Sequence, residues 1–164
     1  MMTDNALDEL AGAVIDAATN SGHMVTTAES CTGGMVAAAL TGIAGASAVL
    51  DRGFVTYSNA AKTDLLGVPE SVLRAHGAVS SQTAACMADG ALVATTNAHL
   101  AIAITGIAGP GGGSAEKPVG LVWFGLACRD GATSTARKLF TGDREAIRRQ
   151  AAATALEMLR TGLG

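Results

Sequence analysis

Ser30 lies in the run Thr27-Ala28-Glu29-Ser30-Cys31-Thr32-Gly33-Gly34. A strand-like stretch, His23 to Thr27, leads into it, and a small uncharged run, Met35 to Leu40, leads out as a helix. A serine at such a junction lies beside unpaired amides of a helix start, which bind a developing oxyanion. Ser30 is therefore a candidate nucleophile for acyl transfer, with donors expected from Thr32, Gly33 and Gly34. It needs a base.

Lys62 is the candidate base, in the first turn of a helix that starts at Ser58 or Asn59. A cation is disfavoured there, but the helix dipole is worth only roughly 0.3–1 kcal/mol, less than one pKa unit. A working base near neutral pH needs a drop of about two to three units. Burial or a second cation must supply the rest, and the competing reading is an ordinary solvated lysine. Tyr57, the sole tyrosine, ends the preceding strand. Its hydroxyl either orients Lys62 or relays a proton, or the ring simply covers the sheet rim.

Two further features suit a polar ligand. The loop Thr105-Gly106-Ile107-Ala108-Gly109-Pro110-Gly111-Gly112-Gly113-Ser114 follows an apolar strand, at the strand end where α/β proteins bind ligands. It matches neither the dinucleotide fingerprint nor the phosphate loop, and reads as a backbone nest or as a turn. Arg144 opens the last helix and Arg148 follows one turn later. Together they suit a phosphate or carboxylate; the alternative is a solvated face with Glu145 and Arg149 as an i,i+4 pair.

Bulk properties exclude other classes. A net charge of −3 provides no basic stripe for nucleic acid. Three cysteines (Cys31, Cys86, Cys128) and three histidines (His23, His76, His99) form no ligand motif, so neither a metal nor a cofactor is expected. The start Met1-Met2-Thr3-Asp4-Asn5 has no basic region before an apolar one, so no signal peptide is expected. The uncharged run Ser30 to Leu50 contains Gly, Ser and Thr, and reads as a buried segment of a water-soluble, cytoplasmic protein.

The elements that must position these residues follow from periodicity. Leu7, Leu10, Ala11, Val14 and Ala18 repeat at helical spacing. Strands are expected near Met24–Ala28, Ala48–Tyr57, Leu100–Ile104, Pro118–Cys128 and Thr133–Thr141. Helices are expected over Gly33–Thr41, Asn59–Leu66, from Pro69 to Gly77, over Ser81–Thr96 and over Asp143–Arg160. Alternating elements in 164 residues predict one domain, a three-layer α/β/α sandwich. The short link between the strands around Ile102 and Trp123 makes the sheet mixed.

The motif containing Ser30, the run Arg52-Gly53-Phe54-Val55-Thr56-Tyr57-Ser58-Asn59 with Lys62, and Thr105-Gly106-Ile107-Ala108-Gly109-Pro110 resemble the CinA C-terminal family. So do Lys117-Pro118-Val119-Gly120 and Gly142-Asp143-Arg144, and the likeness runs from about Leu7 to Leu159. The resemblance implies a three-layer sandwich on a mixed, mostly parallel five-stranded sheet. It implies the activity of the family's stand-alone members, hydrolysis of nicotinamide mononucleotide to nicotinate mononucleotide and ammonia. The family's nucleophile matches Ser30, its base Lys62 and its supporting tyrosine Tyr57, while Thr105 and Arg144 match positions near the substrate. With Thr32, Gly33, Gly34 and Gly106 these form the expected site, with Arg144 receiving the phosphate. The pyrophosphatase domain of longer members, and its metal, are not carried over. A non-catalytic nucleotide-binding module and a Ser–Lys amidase for another small amide are the alternatives. A homodimer is expected from the alanine-rich helices.

Overall fold

A computed structural model describes residues 3–164; Met1 and Met2, part of the stretch read for a signal, lie outside the described residues. The helices are α1 (Asp4–Ser21), α2 (Met35–Thr41), α3 (Asn59–Leu66), α4 (Glu70–His76), α5 (Ser81–Ala94) and α6 (Arg144–Leu163). The strands are β1 (Val25–Glu29), β2 (Leu50–Val55), β3 (Leu100–Gly106), β4 (Leu121–Cys128) and β5 (Ser134–Leu139). Element ends obey local chemistry. Gly22 and Gly67, at φ 69° and 65°, close α1 and α3 in the left-handed conformation that favours glycine. The Asp143 carboxylate caps α6 by accepting from the Ala146 amide at 2.9 Å.

The sheet order is β2-β1-β3-β4-β5. β1 pairs parallel with β2 and β3, and β4 pairs antiparallel with β3 and β5. Only β4 is reversed, so the sheet is mixed and mostly parallel, as expected.

Helices α1, α2 and α6 cover one face and α5 the other, with α3 and α4 packed on α5. The strand pleat sorts side chains accordingly. Leu100, Ile102 and Ile104 of β3 join the cluster under α1 and α6, while Ala101 and Ala103 join the one under α5. Small residues let α5 approach closely. A Cβ on Gly125 would lie 2.3 Å from the Ala84 carbonyl, and one on Gly90 1.8 Å from that of Leu66. Among the described residues no helix is long and apolar enough to cross a membrane. The uncharged run Ser30 to Leu50 is a turn, α2 and the lead into β2.

Chain direction places the site. After β1 the chain turns to α2 on the α1/α6 face, and after the neighbouring β2 it turns to α3 on the α5 face. Connections leaving adjacent parallel strands toward opposite faces open a crevice at their carboxyl ends.

Candidate active site

Ser30 follows β1 into this crevice. Its amide donates to the Ile104 carbonyl at 2.9 Å, extending the ladder by one residue and pinning the backbone. The turn closes through Gly33 N to Ser30 O and Met35 N to Thr32 O, each 3.0 Å. It needs positive φ at Gly33 (59°) and Gly34 (101°), which is why glycines stand there.

The fully buried Glu29 carboxylate accepts from the amides of Val36 (2.9 Å) and Ala37 (3.1 Å), capping α2 from the end of β1. This corrects one expectation about the helix start as an oxyanion site. The Val36 and Ala37 amides are taken by Glu29, and the Gly33 amide by the Ser30 carbonyl. Among the described hydrogen bonds the Thr32 and Gly34 amides have no acceptor. None of Thr32, Gly33 and Gly34 lines the cavity described below, and Thr32 is fully buried.

Lys62 is 1% exposed, the largest fully buried side chain in the described chain. Its Nζ stands 3.0 Å from Ser30 Oγ and donates to the Thr56 carbonyl at 2.9 Å. Among the described ion pairs it has no carboxylate partner. Burial disfavours the charged amine and lowers the pKa of Lys62 below its ordinary 10.5. The expected helix position holds, since Ser58 caps α3 by accepting from the Ala61 amide at 3.0 Å.

Tyr57 is 63% exposed at the rim, and its hydroxyl accepts from Arg144 at 2.9 Å. The residue that holds Lys62 is Thr56, through its carbonyl, rather than the tyrosine hydroxyl. Arg144 also donates to the Gly109 carbonyl at 2.7 Å, tying the glycine-rich loop to the rim. The Thr105 hydroxyl donates to the Ala78 carbonyl at 2.8 Å, joining the end of β3 to the segment before α5. A Cβ on Gly106 would lie 2.7 Å from the Val122 side chain, so β3 and β4 pair there only with glycine.

These residues enclose a cavity of about 260 Å³. Ser30, Lys62, Tyr57, Thr105, Gly106 and Arg144 all line it. A larger depression, about 790 Å³, lies between Thr3 and the start of α6 and contains none of them. Arg148 is not on the cavity wall; it donates to the carbonyls of Cys31 (3.0 Å) and Thr32 (3.1 Å). The expected pairing of Arg144 with Arg148 around one anion is therefore not the observed arrangement. The Glu145–Arg149 pair is present at 3.0 Å.

Sequence reasoning missed Glu29, Thr56 and Asn59, the last of which lines the cavity from the first turn of α3. Glu29 had a readable signal, a lone acid ending an otherwise uncharged strand. Thr56 had none, because it acts through its backbone. Cys31 also lines the cavity, but burial pushes its thiol up to about 11, which keeps it protonated near neutral pH.

The sequence model of the CinA C-terminal domain matches residues 7–163. The chain belongs to the CinA C-terminal domain family. Relatives in this family include the nicotinamide-nucleotide amidohydrolase PncC of Enterobacter agglomerans, 56% identical over 95% of this chain and 94% of the relative. The protein of the same name from Escherichia coli K12 is 55% identical over 96% and 95%. The crystal structure of the competence/damage inducible protein CihA from Agrobacterium tumefaciens superposes with a TM-score of 0.93. It is 54% identical, covering 96% of this chain and 95% of that one. The CinA fold and the sheet described above are thus the same architecture.

Proposed function

We propose that this chain is a nicotinamide-nucleotide amidohydrolase that converts nicotinamide mononucleotide and water to nicotinate mononucleotide and ammonia. Relatives of that name match it over nearly their whole length. The observation that carries the mechanism is the 3.0 Å approach of Lys62 Nζ to Ser30 Oγ in a buried site.

A neutral lysine has two N–H bonds and one lone pair. The Thr56 carbonyl takes one N–H, which leaves the lone pair for the Ser30 proton. Ser30 Oγ then attacks the carboxamide carbon, and the proton moves to Nζ. Unpaired amides of the turn receive the oxyanion. As the tetrahedral intermediate collapses, the C–N bond breaks and the Lys62 ammonium protonates the leaving nitrogen, releasing ammonia. Water, deprotonated by Lys62, attacks the acyl carbon, and the proton returns to Ser30. The positive pyridinium ring of the substrate makes its carbonyl more electrophilic, which suits an unassisted serine.

Arg144, held by Tyr57 and Gly109, receives the phosphate beside the glycine-rich loop. Thr105 and Gly106 shape the wall against which the substrate lies. No cofactor or metal enters this scheme. The whole chain is read as one such domain, supported by a family match over residues 7–163. A cytoplasmic location and a homodimer complete the reading. The homodimer is read from the alanine-rich helices, and sedimentation tests it.

The test is ammonia release from nicotinamide mononucleotide by wild type, Ser30→Ala and Lys62→Met. Release by wild type that is lost in both folded variants is the expected result. Saturable binding of the nucleotide with no release, by folded wild type, would replace this reading with a binding module. Faster turnover of another small amide would make the chain an amidase of different specificity.

A further inference from the structure

Asn59 lines the catalytic cavity from the first turn of α3, three residues before Lys62. Residues three apart share a helix face, and their Cα–Cβ bonds tilt toward the helix N-terminus. The N-terminus of α3 follows the carboxyl end of β2, so both side chains lean toward the crevice whose wall they form. They do so at different depths. Lys62 is fully buried, whereas Asn59 is exposed, as are Tyr57 and Arg144 on the rim.

The other hydroxyl and charged groups on this wall are engaged within the chain. Ser30 and Lys62 bond each other, the Thr105 hydroxyl donates to the Ala78 carbonyl, and Arg144 donates to Tyr57 and Gly109. The Asn59 carboxamide makes no hydrogen bond among the described residues. Helix α3 does not need it either, since Ser58 already caps the helix through the Ala61 amide at 3.0 Å. Asparagine is also a poorer helix former than alanine. What it brings to the cavity is a neutral group with one acceptor oxygen and two N–H donors.

Nicotinamide mononucleotide has a matching order of parts. Its carboxamide must reach Ser30 beside the buried Lys62, and its phosphate lies by Arg144 on the rim. The ribose lies between them, with two adjacent hydroxyls that each donate and accept. A polar side chain on the Lys62 face of α3, but nearer the rim, stands beside that ribose. We infer that Asn59 binds the ribose hydroxyls of the substrate and so favours a ribonucleotide over its deoxyribose analogue. The inference rests on the Ser30–Lys62 reading and on the substrate proposed above.

The experiment measures ammonia release by wild type and Asn59→Ala from nicotinamide mononucleotide and from its 2′-deoxy and 3′-deoxy analogues. Calorimetry in a Ser30→Ala background, where the ligand is not turned over, gives the same comparison as Kd. In wild type, loss of the bonded hydroxyl is expected to raise KM and Kd about five- to tenfold, the scale of one net hydrogen bond. Asn59→Ala raises both by a similar factor for the full substrate and keeps kcat within about twofold. The deoxy analogue then costs the variant nothing more, because hydroxyl and carboxamide are partners in one contact. Wild-type KM and Kd in Asn59→Ala overturn the inference, as does a deoxy penalty that persists in the variant. A loss confined to kcat overturns it too, by moving Asn59 to the reacting carboxamide. Should Asn59→Ala fail to fold, Asn59→Ser takes its place with the same outcomes. Nucleotide that binds without ammonia release, with the deoxy penalty erased in the variant, removes the hydrolase reading and keeps this inference. Neither binding nor release removes both.

Discussion

Ser30 Oγ and Lys62 Nζ meet at 3.0 Å although α2, which follows Ser30, and α3, which carries Lys62, lie on opposite faces of the sheet. Ser30 ends the strand that feeds α2, and Lys62 lies in α3, which follows the neighbouring strand. Each is anchored by backbone. The Ser30 amide donates to the Ile104 carbonyl, and Lys62 Nζ donates to the Thr56 carbonyl. Two rigid elements thus hold the pair, and burial removes the water that would otherwise solvate a charged lysine.

Lys62→Met is expected to reduce kcat/KM by about 10²–10⁴-fold, the range for loss of a general base. The same substitution is expected to raise stability by about 0.5–2 kcal/mol, as relief at a functional site commonly does. For a chain of this size that is roughly 2–4 °C in Tm per kcal/mol. Kinetics and a thermal melt of one preparation check both, and unchanged turnover would remove Lys62 from the mechanism.

The lowered pKa of Lys62 gives two pH dependences of the same sign. Activity should rise with pH as Lys62 loses its proton, with the acid limb of kcat/KM falling below the ordinary lysine value of 10.5. Stability should rise as well. Between the lowered folded pKa and 10.5 the unfolded chain binds the extra proton, so raising pH favours the folded state. Below that window both states are protonated and the cost of burying the charge is complete. Urea melts of wild type and Lys62→Met across pH should converge as pH rises; a constant gap would contradict a lowered pKa.

Tyr57→Phe separates two roles for the hydroxyl. Its observed partner is Arg144, so the variant should raise the KM for nicotinamide mononucleotide several-fold, about 1 kcal/mol for one hydrogen bond. A fall in kcat with unchanged KM would instead assign the hydroxyl to Lys62.

Glu29→Ala removes the acceptor of two helix amides, those of Val36 and Ala37. Each buried donor left unsatisfied costs about 1–3 kcal/mol, so Tm should fall by several degrees and the turn carrying Ser30 should loosen. A melt at wild-type temperature would mean that another group caps α2.

Cys31→Ala tests the neighbouring thiol, which burial keeps protonated with its pKa at about 11. Turnover should survive, because a thiol lacking its thiolate is a weak nucleophile. Activity lost in this variant but retained in Ser30→Ala would move the nucleophile to Cys31.

Much of this architecture was legible in local pattern. Periodicity placed every helix and strand to within a few residues, because apolar spacing and glycine or aspartate stops are written locally. The apolar run at β3 reads as a strand covered on both faces, and it is. The short link after β3 suggested one antiparallel strand in a mixed sheet, and the reversed strand is β4. The site was legible in part. Ser30, Lys62, Tyr57, Thr105 and Arg144 all reach one cavity, as their motifs suggested.

What stayed hidden were the partners of each group. Arg148 and Glu29 act on backbone amides and carbonyls, and Thr56 acts through its own carbonyl. Such contacts leave no constraint on residue type at the backbone partner, so no motif records that partner.

The sequence by itself determined which elements form, in what order, and which side chains stand at the carboxyl ends of the strands. Those follow from periodicity, caps and turns within short stretches of chain. Only the tertiary structure decided that Lys62 is desolvated beside Ser30, that Tyr57 bonds Arg144, and that Arg148 bonds the turn after Ser30. Desolvation and hydrogen-bond geometry arise between segments far apart along the chain, and they exist only once the sheet has brought those segments together.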